Sequence, residues 1–312
     1  MIRIIFMGTP DFAVPSLRML LDEGYDVVAV VTRKDTARGR GMKVKYSPVK
    51  QFALSKGIKV LQPDSAKSEQ FIEEIKELNP DIMVTAAYGR ILPKEILDVP
   101  MYGCINVHAS LLPEYRGAAP IHKAIIDGKK RTGITTMLTD VGMDTGDILL
   151  KKEIEIPYNM TTGELHDKLA ELGAETLRET IHLFVEDKIV RIPQDNSLAT
   201  YAPQITRETG CIDWNDSTEK IYNRIRGTNP WPGSYTTYLG KRIKIWKAEI
   251  GDKVGGRSGE IVRNNDEIIV ATIDGSIRLL EIQFDNGKRM TAKNYLLGNS
   301  IELSTILGDA IG

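Results

Sequence analysis

The sequence predicts an α/β protein in which a doubly wound, mostly parallel sheet is followed by a smaller domain of antiparallel strands. The first indication is the opening of the chain, where an apolar strand over 2–7, a helix over 11–23 and a Val-rich strand over 26–32 follow one another. This order is typical of a parallel sheet with helices on its faces. The glycine pattern of dinucleotide-binding proteins, Gly-x-Gly-x-x-Gly, does not follow the first strand, so we do not expect a dinucleotide.

The second indication is a change in the character of the chain near residue 207. Residues 192–207 carry prolines and amides with little periodicity, as interdomain linkers do. After them, short strand-like runs alternate with Gly and Asp-Gly turns, with one helix over 217–226, which predicts a small β-barrel of the OB type. The expected parts are a first domain over 1–189, a linker over 190–206 and a second domain over 207–312.

Composition limits the class of protein. The 312 residues are 42% hydrophobic and 27% charged, as in ordinary globular proteins, and they suffice for two domains. No apolar run is long enough to span a membrane, and the first strand begins too early for a secretory signal. Cysteine occurs only as Cys104 and Cys211, which fits a reducing cytoplasm and argues against a disulfide scaffold or a zinc cluster. With a net charge of -1, nucleic acid would have to contact local basic patches.

The residues from 103 to 120 form the stretch around which the first domain is organised. They open with a predicted buried strand over 104–108 and continue into a loop with proline and glycine. Side chains two apart on a strand share a face, so Asn106 and His108 point the same way, about 7 Å apart. Open α/β sheets bind their ligands at the carboxyl ends of such strands. An amide donor and an imidazole are therefore expected at a ligand site.

A second stretch adds an aspartate to this pair. A Thr-rich strand is predicted over 134–139, and the glycines Gly133, Gly142 and Gly146 indicate a tightly turned loop that presents Asp144. Aspartate, histidine and asparagine together can move protons and stabilise an oxyanion. Each residue taken alone is more often structural, so a core polar group or a plain turn stays open as the alternative.

A basic stretch follows the second predicted strand. Residues 33–50 contain seven Lys or Arg residues against one acidic residue, and Gly39 and Gly41 flank Arg40. Such a charge run is usually a solvated loop, and phosphate binding is the alternative.

Four motifs stand at the spacings of one known family: Asn106-x-His108, Ser110-Leu-Leu-Pro113, Arg116-Gly117 and Gly142-Met-Asp144-x-Gly146. They resemble the formyltransferases that use formyl-tetrahydrofolate. Over nearly all 312 residues, from the opening residues 4–15 onward, the chain is similar to the methionyl-tRNA formyltransferase family. The resemblance implies a Rossmann-like formyltransferase catalytic domain followed by a tRNA-binding β-barrel.

The resemblance also implies a reaction. A formyl group passes from 10-formyltetrahydrofolate to the free amino group of methionyl-tRNA, the initiator, giving N-formylmethionyl-tRNA for translation initiation. Asn106 would donate its amide to the developing oxyanion, and His108 would hydrogen-bond to the same oxygen as an imidazolium. Asp144 would orient His108 and help move the amine proton to the leaving nitrogen. No metal and no covalent intermediate are needed, and Cys104 has no evident activating base.

The resemblance assigns two further groups of residues. The folate would lie against Ser110, Leu111, Leu112 and Pro113, together with Arg90, Ile91 and Leu92. The acceptor end of the tRNA would contact Arg38, Arg40, Lys43 and Lys45 in the basic loop. The expected protein is a cytoplasmic monomer without a membrane partner.

Three alternatives remain beside this interpretation. A sugar-nucleotide N-formyltransferase shares the same Asn, His and Asp set. A catalytically idle RNA-binding protein on the same scaffold is disfavoured because Asn106, His108 and Asp144 are all present. A shorter ribonucleotide formyltransferase is disfavoured because this chain carries a further domain.

Overall fold

A computed structural model describes residues 1–38 and 43–308 of the chain. The chain divides into two compact units. The first contains 1–120, 131–155 and 166–202, and the second contains 121–130, 156–165 and the residues from 203 onward.

The first unit contains one large sheet and several short strands outside that sheet. Its strands in chain order are β1 (Arg3–Gly8), β2 (Asp26–Val31), β3 (Thr36–Arg38), β4 (Lys43–Lys45), β5 (Val60–Leu61), β6 (Ile82–Ala86), β7 (Cys104–His108), β8 (Arg116–Gly117), β9 (Arg131–Leu138), β10 (Ile148–Glu155) and β11 (Tyr201–Ala202). Within the described residues, seven of them form the main sheet in the order β10-β9-β7-β6-β1-β2-β5. The neighbours from β5 to β7 are parallel, whereas β9 is antiparallel to both β7 and β10. The predicted mostly parallel sheet is confirmed.

Helices cover this sheet because their apolar residues recur at helical spacing. Those of the first unit are α1 (Val14–Asp22), α2 (Pro48–Ser55), α3 (Glu69–Leu78) and α4 (Lys94–Leu97). The helix α5 (Pro120–Ile126) belongs to the second unit except for its first residue, and α6 (Thr162–Val185) belongs to the first unit from His166 onward. In α3, Phe71 and Ile75 lie one turn apart and pack into the same core cluster as Met83 of β6. Across residues 1–38 and 43–308, none of the helices has the length and apolar character needed to cross a membrane.

The strand register places polar side chains at one edge of the sheet. Thr85 of β6 is paired with Asn106 of β7, and Asn106 faces Met137 of β9 on the other side. His108, the last residue of β7, is paired with Thr135. Because β6 and β7 are parallel, the loops that follow them leave from the same edge of the sheet.

The second unit carries an antiparallel sheet. Its strands are β12 (Ser234–Tyr238), β13 (Lys241–Gly251), β14 (Ile261–Arg263), β15 (Ile268–Ala271), β16 (Ser276–Phe284) and β17 (Met290–Thr291), and its helices include α7 (Thr218–Gly227) and α8 (Ala292–Leu296). The order is β12-β13-β16-β15-β14, and β17 also pairs with β16. Irregular register around Lys247 interrupts the β13–β16 ladder, as bulges do in curled sheets. The expected small OB-like β domain is confirmed.

The helix α8 corrects the expectation of one helix after residue 207. It has five residues, too few for a helical period to stand out in the sequence. Thr291 caps it by accepting a hydrogen bond from the Asn294 backbone N–H on its side-chain oxygen at 3.2 Å.

Residues 192–202, named the tether from here on, pack along the first unit. The backbones of Ile192 and Ile148 exchange two hydrogen bonds, of 2.8 and 2.9 Å. At its other end, β11 pairs with β8 in parallel. The tether thus contributes to the first unit's hydrogen bonding, while the division at 190–206 stays a prediction.

The first prediction concerns the contact between β9 and β10. A Cβ on Gly133 of β9 would stand 2.1 Å from the backbone oxygen of Lys152 and 2.7 Å from Leu111. Since a backbone atom cannot turn aside, Gly133→Ala should push the strands apart and lower the free energy of unfolding by roughly 1–3 kcal/mol.

Urea denaturation measures this loss. Gly298→Ala is the control, because a Cβ at Gly298 meets nothing within 4 Å. Equal unfolding midpoints for the two variants would contradict the close approach of β9 and β10.

Candidate active site

Asn106 is held with its amide group in one orientation. The Thr85 hydroxyl donates a hydrogen bond of 2.9 Å to Asn106 Oδ1. The oxygen side of the amide is therefore occupied by a donor from the neighbouring strand. Its nitrogen lies 3.4 Å from Asp144 Oδ1. The geometry leaves the Asn106 NH₂ group as the donor that faces Asp144.

His108 is buried and its ring orientation is equally fixed. Its Nε2 lies 3.0 Å from the backbone oxygen of Tyr115. A carbonyl oxygen can only accept, so Nε2 carries a hydrogen and donates. The other nitrogen, Nδ1, lies 3.6 Å from Asp144 Oδ1. A hydrogen on Nδ1 as well would turn this contact into a favourable ion pair.

Asp144 lies in the loop between β9 and β10. Its backbone is in the left-handed region with φ 54°, and its Oδ2 accepts a hydrogen bond of 2.8 Å from the Gly117 N–H. The loop is closed internally by Asp140, whose Oδ1 accepts from the Gly142 N–H at 3.0 Å and from the Thr145 hydroxyl at 2.7 Å. The three predicted catalytic residues are therefore brought together.

The glycines around this loop have different roles from the one expected. Gly133 lies inside β9 and not in the loop, where it permits the close approach of β10. Gly146 does belong to the loop. It permits a close approach to the end of β9, since a Cβ at this position would stand 1.8 Å from the Leu138 backbone oxygen. The sequence did not point to the Thr85 hydroxyl, the Gly117 N–H or the Tyr115 carbonyl as contributors to the site.

The residues assigned to folate lie in the two segments that follow β6 and β7. In the second segment, Ser110 is buried with its hydroxyl donating to the Glu114 oxygen at 2.6 Å. Leu112 is buried in a cluster with Met137 and Ile148. Their side chains are thus covered by protein, while Leu111 and Pro113 are half-buried.

The first folate segment shows the same division. Leu92 is buried in the core, and Arg90 donates to the backbone oxygens of Pro63 and Asp64 at 3.0 and 2.9 Å. Ile91, in contrast, is 61% exposed. Their assignment to the folate stays a prediction.

The basic stretch contains a hairpin that the sequence did not predict, formed by β3 and β4. Arg38 is paired with Lys43 in the backbone register, and Lys45 is exposed. Arg40, the residue expected to contact tRNA most closely, lies outside the described residues. Lys50, at the end of the stretch, is neutralised by Asp35 and also donates to Gln62 at 2.7 Å.

Cys104 lies on β7 close to the site, and its protonation bears on covalent catalysis. Burial raises the pKa of its thiol to about 12, although the hydroxyls of Thr139 and Thr85 act in the opposite direction. Only a thiolate is an effective nucleophile, so the Cys104 thiol is unreactive near neutral pH.

We therefore predict that iodoacetamide at pH 8 labels the exposed Cys211 and leaves Cys104 unmodified. A pKa of about 12 leaves roughly one thiol in ten thousand ionised at that pH. Peptide mass spectrometry of the native and the urea-unfolded protein measures both sites. Labelling of native Cys104 at the rate of Cys211 would contradict the prediction.

Two family models match the chain. The formyl transferase model covers residues 2–181, and the model of the formyl transferase C-terminal domain covers residues 204–300. The methionyl-tRNA formyltransferase of Ruminiclostridium cellulolyticum is 54% identical over 310 residues, which are 98% of this chain and 99% of the relative. That of Caldanaerobacter subterraneus subsp. tengcongensis is 57% identical over 307 residues, again 98% and 99%.

Solved structures share the fold at lower identity. The sugar 3N-formyl transferase WlaRD, crystallised with dTDP and 5-N-formyl-THF, is 20% identical with a TM-score of 0.69, over 92% of this chain and 99% of that chain. An N-formyltransferase from Helicobacter canadensis, in complex with folinic acid and dTDP-3-aminofucose, is 22% identical with a TM-score of 0.67, over 89% and 99%. With both domains matched and relatives more than half identical from end to end, the chain belongs to the methionyl-tRNA formyltransferase family.

Proposed function

We propose that this chain transfers the formyl group of 10-formyltetrahydrofolate to the α-amino group of methionine esterified to initiator tRNA. The observation that carries the proposal is the meeting of Asn106, His108 and Asp144 at the end of β7, with the Asn106 amide nitrogen turned toward Asp144. The family to which the chain belongs supports the choice of both substrates.

The reaction creates a negative charge that this site is suited to receive. When the neutral amine attacks the formyl carbon, a C–N bond forms and the formyl oxygen becomes an oxyanion. Asn106 Nδ2–H donates to that oxygen, and a protonated His108 Nδ1 is the second donor. Both groups are fixed before the substrate arrives, because Thr85 and the Tyr115 carbonyl hold their other ends. Such preorganisation avoids reorganisation of solvent during the reaction.

Asp144 transfers the proton that the reaction moves from one nitrogen to the other. The attacking nitrogen must lose one proton, and the folate nitrogen must gain one when its bond to the formyl carbon breaks. The Gly117 N–H holds Oδ2 in place with a hydrogen bond of 2.8 Å. Oδ1 is the atom that faces Asn106 and His108, so it accepts the amine proton and returns it, directly or through water, to the leaving nitrogen.

The outer face of the second unit provides a surface for the tRNA. Ile243 and Ile245 of β13 are buried, so the alternating residues Arg242, Lys244 and Trp246 lie on the opposite face. The Arg242 guanidinium lies 4.4 Å from the ring centroid of Tyr235, and Lys244 lies 5.1 Å from that of Trp246. Cations next to aromatic rings suit the phosphates and bases of an RNA. We propose that this face and the β3–β4 hairpin both contact the tRNA.

We also propose that the enzyme works in the cytoplasm and as a monomer. The low cysteine content, with only Cys104 and Cys211 in the sequence, supports a reducing compartment. Light scattering of the purified protein at working concentration tests the monomer.

The competing function is formylation of a sugar nucleotide. Two structural neighbours share the fold, a sugar 3N-formyl transferase and an N-formyltransferase in complex with dTDP-3-aminofucose, but they are only 20% and 22% identical. Relatives of the first function are 54% and 57% identical, so the tRNA substrate is better supported.

One experiment separates the two functions. The enzyme and 10-formyltetrahydrofolate are incubated with charged initiator methionyl-tRNA or with dTDP-3-aminofucose, and each product is weighed by mass spectrometry. A gain of one formyl group on methionine only is the expected result. A gain on the sugar only overturns the proposal.

Replacing a donor should slow the chemical step. Because an oxyanion donor contributes roughly a hundredfold or more to turnover, Asn106→Ala and His108→Ala should each lower kcat by about that factor. Folate affinity should be retained, and quenched-flow formylation with saturating substrates measures the effect.

His182→Ala is the matched control, since His182 is 53% exposed on its side chain and contacts Glu23 of the first unit. It should turn over like the parent. Near-normal turnover of His108→Ala would sink the assignment of His108.

The β3–β4 hairpin gives a separate prediction. Arg40 stands between two strands that contribute Arg38, Lys43 and Lys45. Arg40→Ala should weaken formylation of tRNA strongly and leave folate affinity unchanged, because only the contact with a tRNA phosphate is lost. The loss of one phosphate contact should also lower the slope of tRNA affinity against salt concentration by about one unit.

A salt series of tRNA dissociation constants decides this point. Lys76→Ala removes a cation on α3 that is paired with Glu73, and it should leave the slope unchanged. Identical slopes for Arg40→Ala and the parent protein would mean that the hairpin is merely solvated.

A further inference from the structure

The tether passes beside both halves of the candidate site. Near its end, Thr200 contacts the loop that follows β7 through three hydrogen bonds. Its backbone oxygen accepts from the Arg116 N–H at 2.8 Å, its N–H donates to the Pro113 oxygen at 3.3 Å, and its hydroxyl oxygen accepts from the Tyr115 N–H at 2.8 Å. Tyr115 is the residue whose carbonyl receives the His108 hydrogen bond.

Gln194, near the start of the tether, contacts the other half. Its Nε2 donates to the backbone oxygens of Asp144 at 2.9 Å and Gly146 at 2.7 Å. Its Oε1 accepts from Arg116 Nε at 3.1 Å and from Nη2 at 2.7 Å. These four hydrogen bonds use both amide hydrogens of Gln194 and both lone pairs of its side-chain oxygen.

The chemistry of the partners determines which way the Gln194 amide points. The Arg116 guanidinium can only donate, so the atom that faces it must be the oxygen. Backbone carbonyls can only accept, so the atom that faces Asp144 and Gly146 must be the nitrogen. Arg116 is 2% exposed, and its guanidinium also donates to Asn196 Oδ1 at 2.8 Å. A buried cation thus fixes the orientation of an amide whose opposite end holds the Asp144 loop.

The Asp144 loop needs this support because the residues at its tip are exposed to solvent and bury little surface. Val141, Gly142 and Met143 are exposed, and Asp144 itself has the left-handed φ that a side chain disfavours. Asp140 secures the first half of the loop through Gly142 and Thr145. Gln194 secures the second half through the backbone oxygens of Asp144 and Gly146.

We propose that Gln194 is a positioning residue for formyl transfer. It holds the backbone at Asp144 and Gly146 so that the Asp144 carboxylate stays between Asn106 and His108. This inference rests on the proposed function and deepens it by assigning a role at the active site to a tether residue. Thr200 acts in the same way on the other side, through the Tyr115 carbonyl that orients His108.

Gln194→Glu is the informative variant, because it preserves shape and changes one end of the side chain. The carboxylate still accepts from Arg116, and the tether stays attached. Its second oxygen, however, faces the Asp144 and Gly146 carbonyls, where oxygen repels oxygen. We expect kcat to fall between about tenfold and a hundredfold, the range that a displacement near 1 Å produces. The KM for the folate and the melting temperature should stay near those of the parent.

A second variant guards against failure of the first to fold. Gln194→Met keeps the length of the side chain and removes both polar ends. It should show the same loss of kcat, together with a lower melting temperature because Arg116 loses the single oxygen that accepts two of its hydrogen bonds. Asp195→Ala is the control within the tether, since Asp195 caps only the turn at Ser197, and its kcat should equal that of the parent.

A double-mutant cycle separates positioning from general stability. If Gln194 acts through Asp144, then Gln194→Glu should cost less than about twofold in an Asp144→Asn background, where the carboxylate is already absent. An additive cost in that background overturns the inference, as does a parental kcat for Gln194→Glu. The proposed function fails separately, if the parent enzyme leaves methionyl-tRNA unformylated.

Discussion

The position of the Asp144 carboxylate is the constraint that the candidate site depends on. One of its oxygens receives the Gly117 N–H at 2.8 Å, and the other lies 3.4 Å from Asn106 and 3.6 Å from His108. With Oδ2 held by this donor, Oδ1 is the oxygen that faces Asn106 and His108. The two side chains that face this carboxylate are themselves held in place: Thr85 orients the Asn106 amide, and the Tyr115 carbonyl orients the His108 ring.

This arrangement depends on a change from parallel to antiparallel strand pairing at β7. On one side β7 is parallel to β6, and on the other it is antiparallel to β9. The parallel pairing brings Thr85 beside Asn106. The antiparallel pairing means that the chain leaves β9 at Leu138, next to the start of β7, and the β9–β10 loop must travel back to reach the carboxyl end of β7. That return path explains the tight turns at Gly142 and Gly146, and it explains why the loop needs hydrogen bonds from outside itself.

Much of this could be predicted from particular residues. The predicted buried strand over 104–108 coincides with β7, in which every residue except the half-buried Asn106 is buried. The motif resemblance grouped Asn106, His108 and Asp144, and the structure brings them within contact distance. The β3–β4 hairpin escaped prediction because each of its strands has only three residues, which is too short for an alternating pattern to stand out. Two segments are assigned to the folate by the resemblance, and the burial of Ser110, Leu92 and Leu112 within them could not be predicted from residue type.

Sequence patterns alone were enough to predict the order of the longer strands and helices, the presence of two parts, and the residue types proposed to carry the chemistry. Those properties depend on periodicity and on motifs whose members are close along the chain. Only the tertiary structure decided which donors and acceptors hold the site. Gln194 reaches Arg116 across 78 positions and Asp144 across 50, from a stretch whose composition is that of a linker. No local pattern marks such a residue, because its role is set by where the packed chain returns and not by its neighbours in sequence.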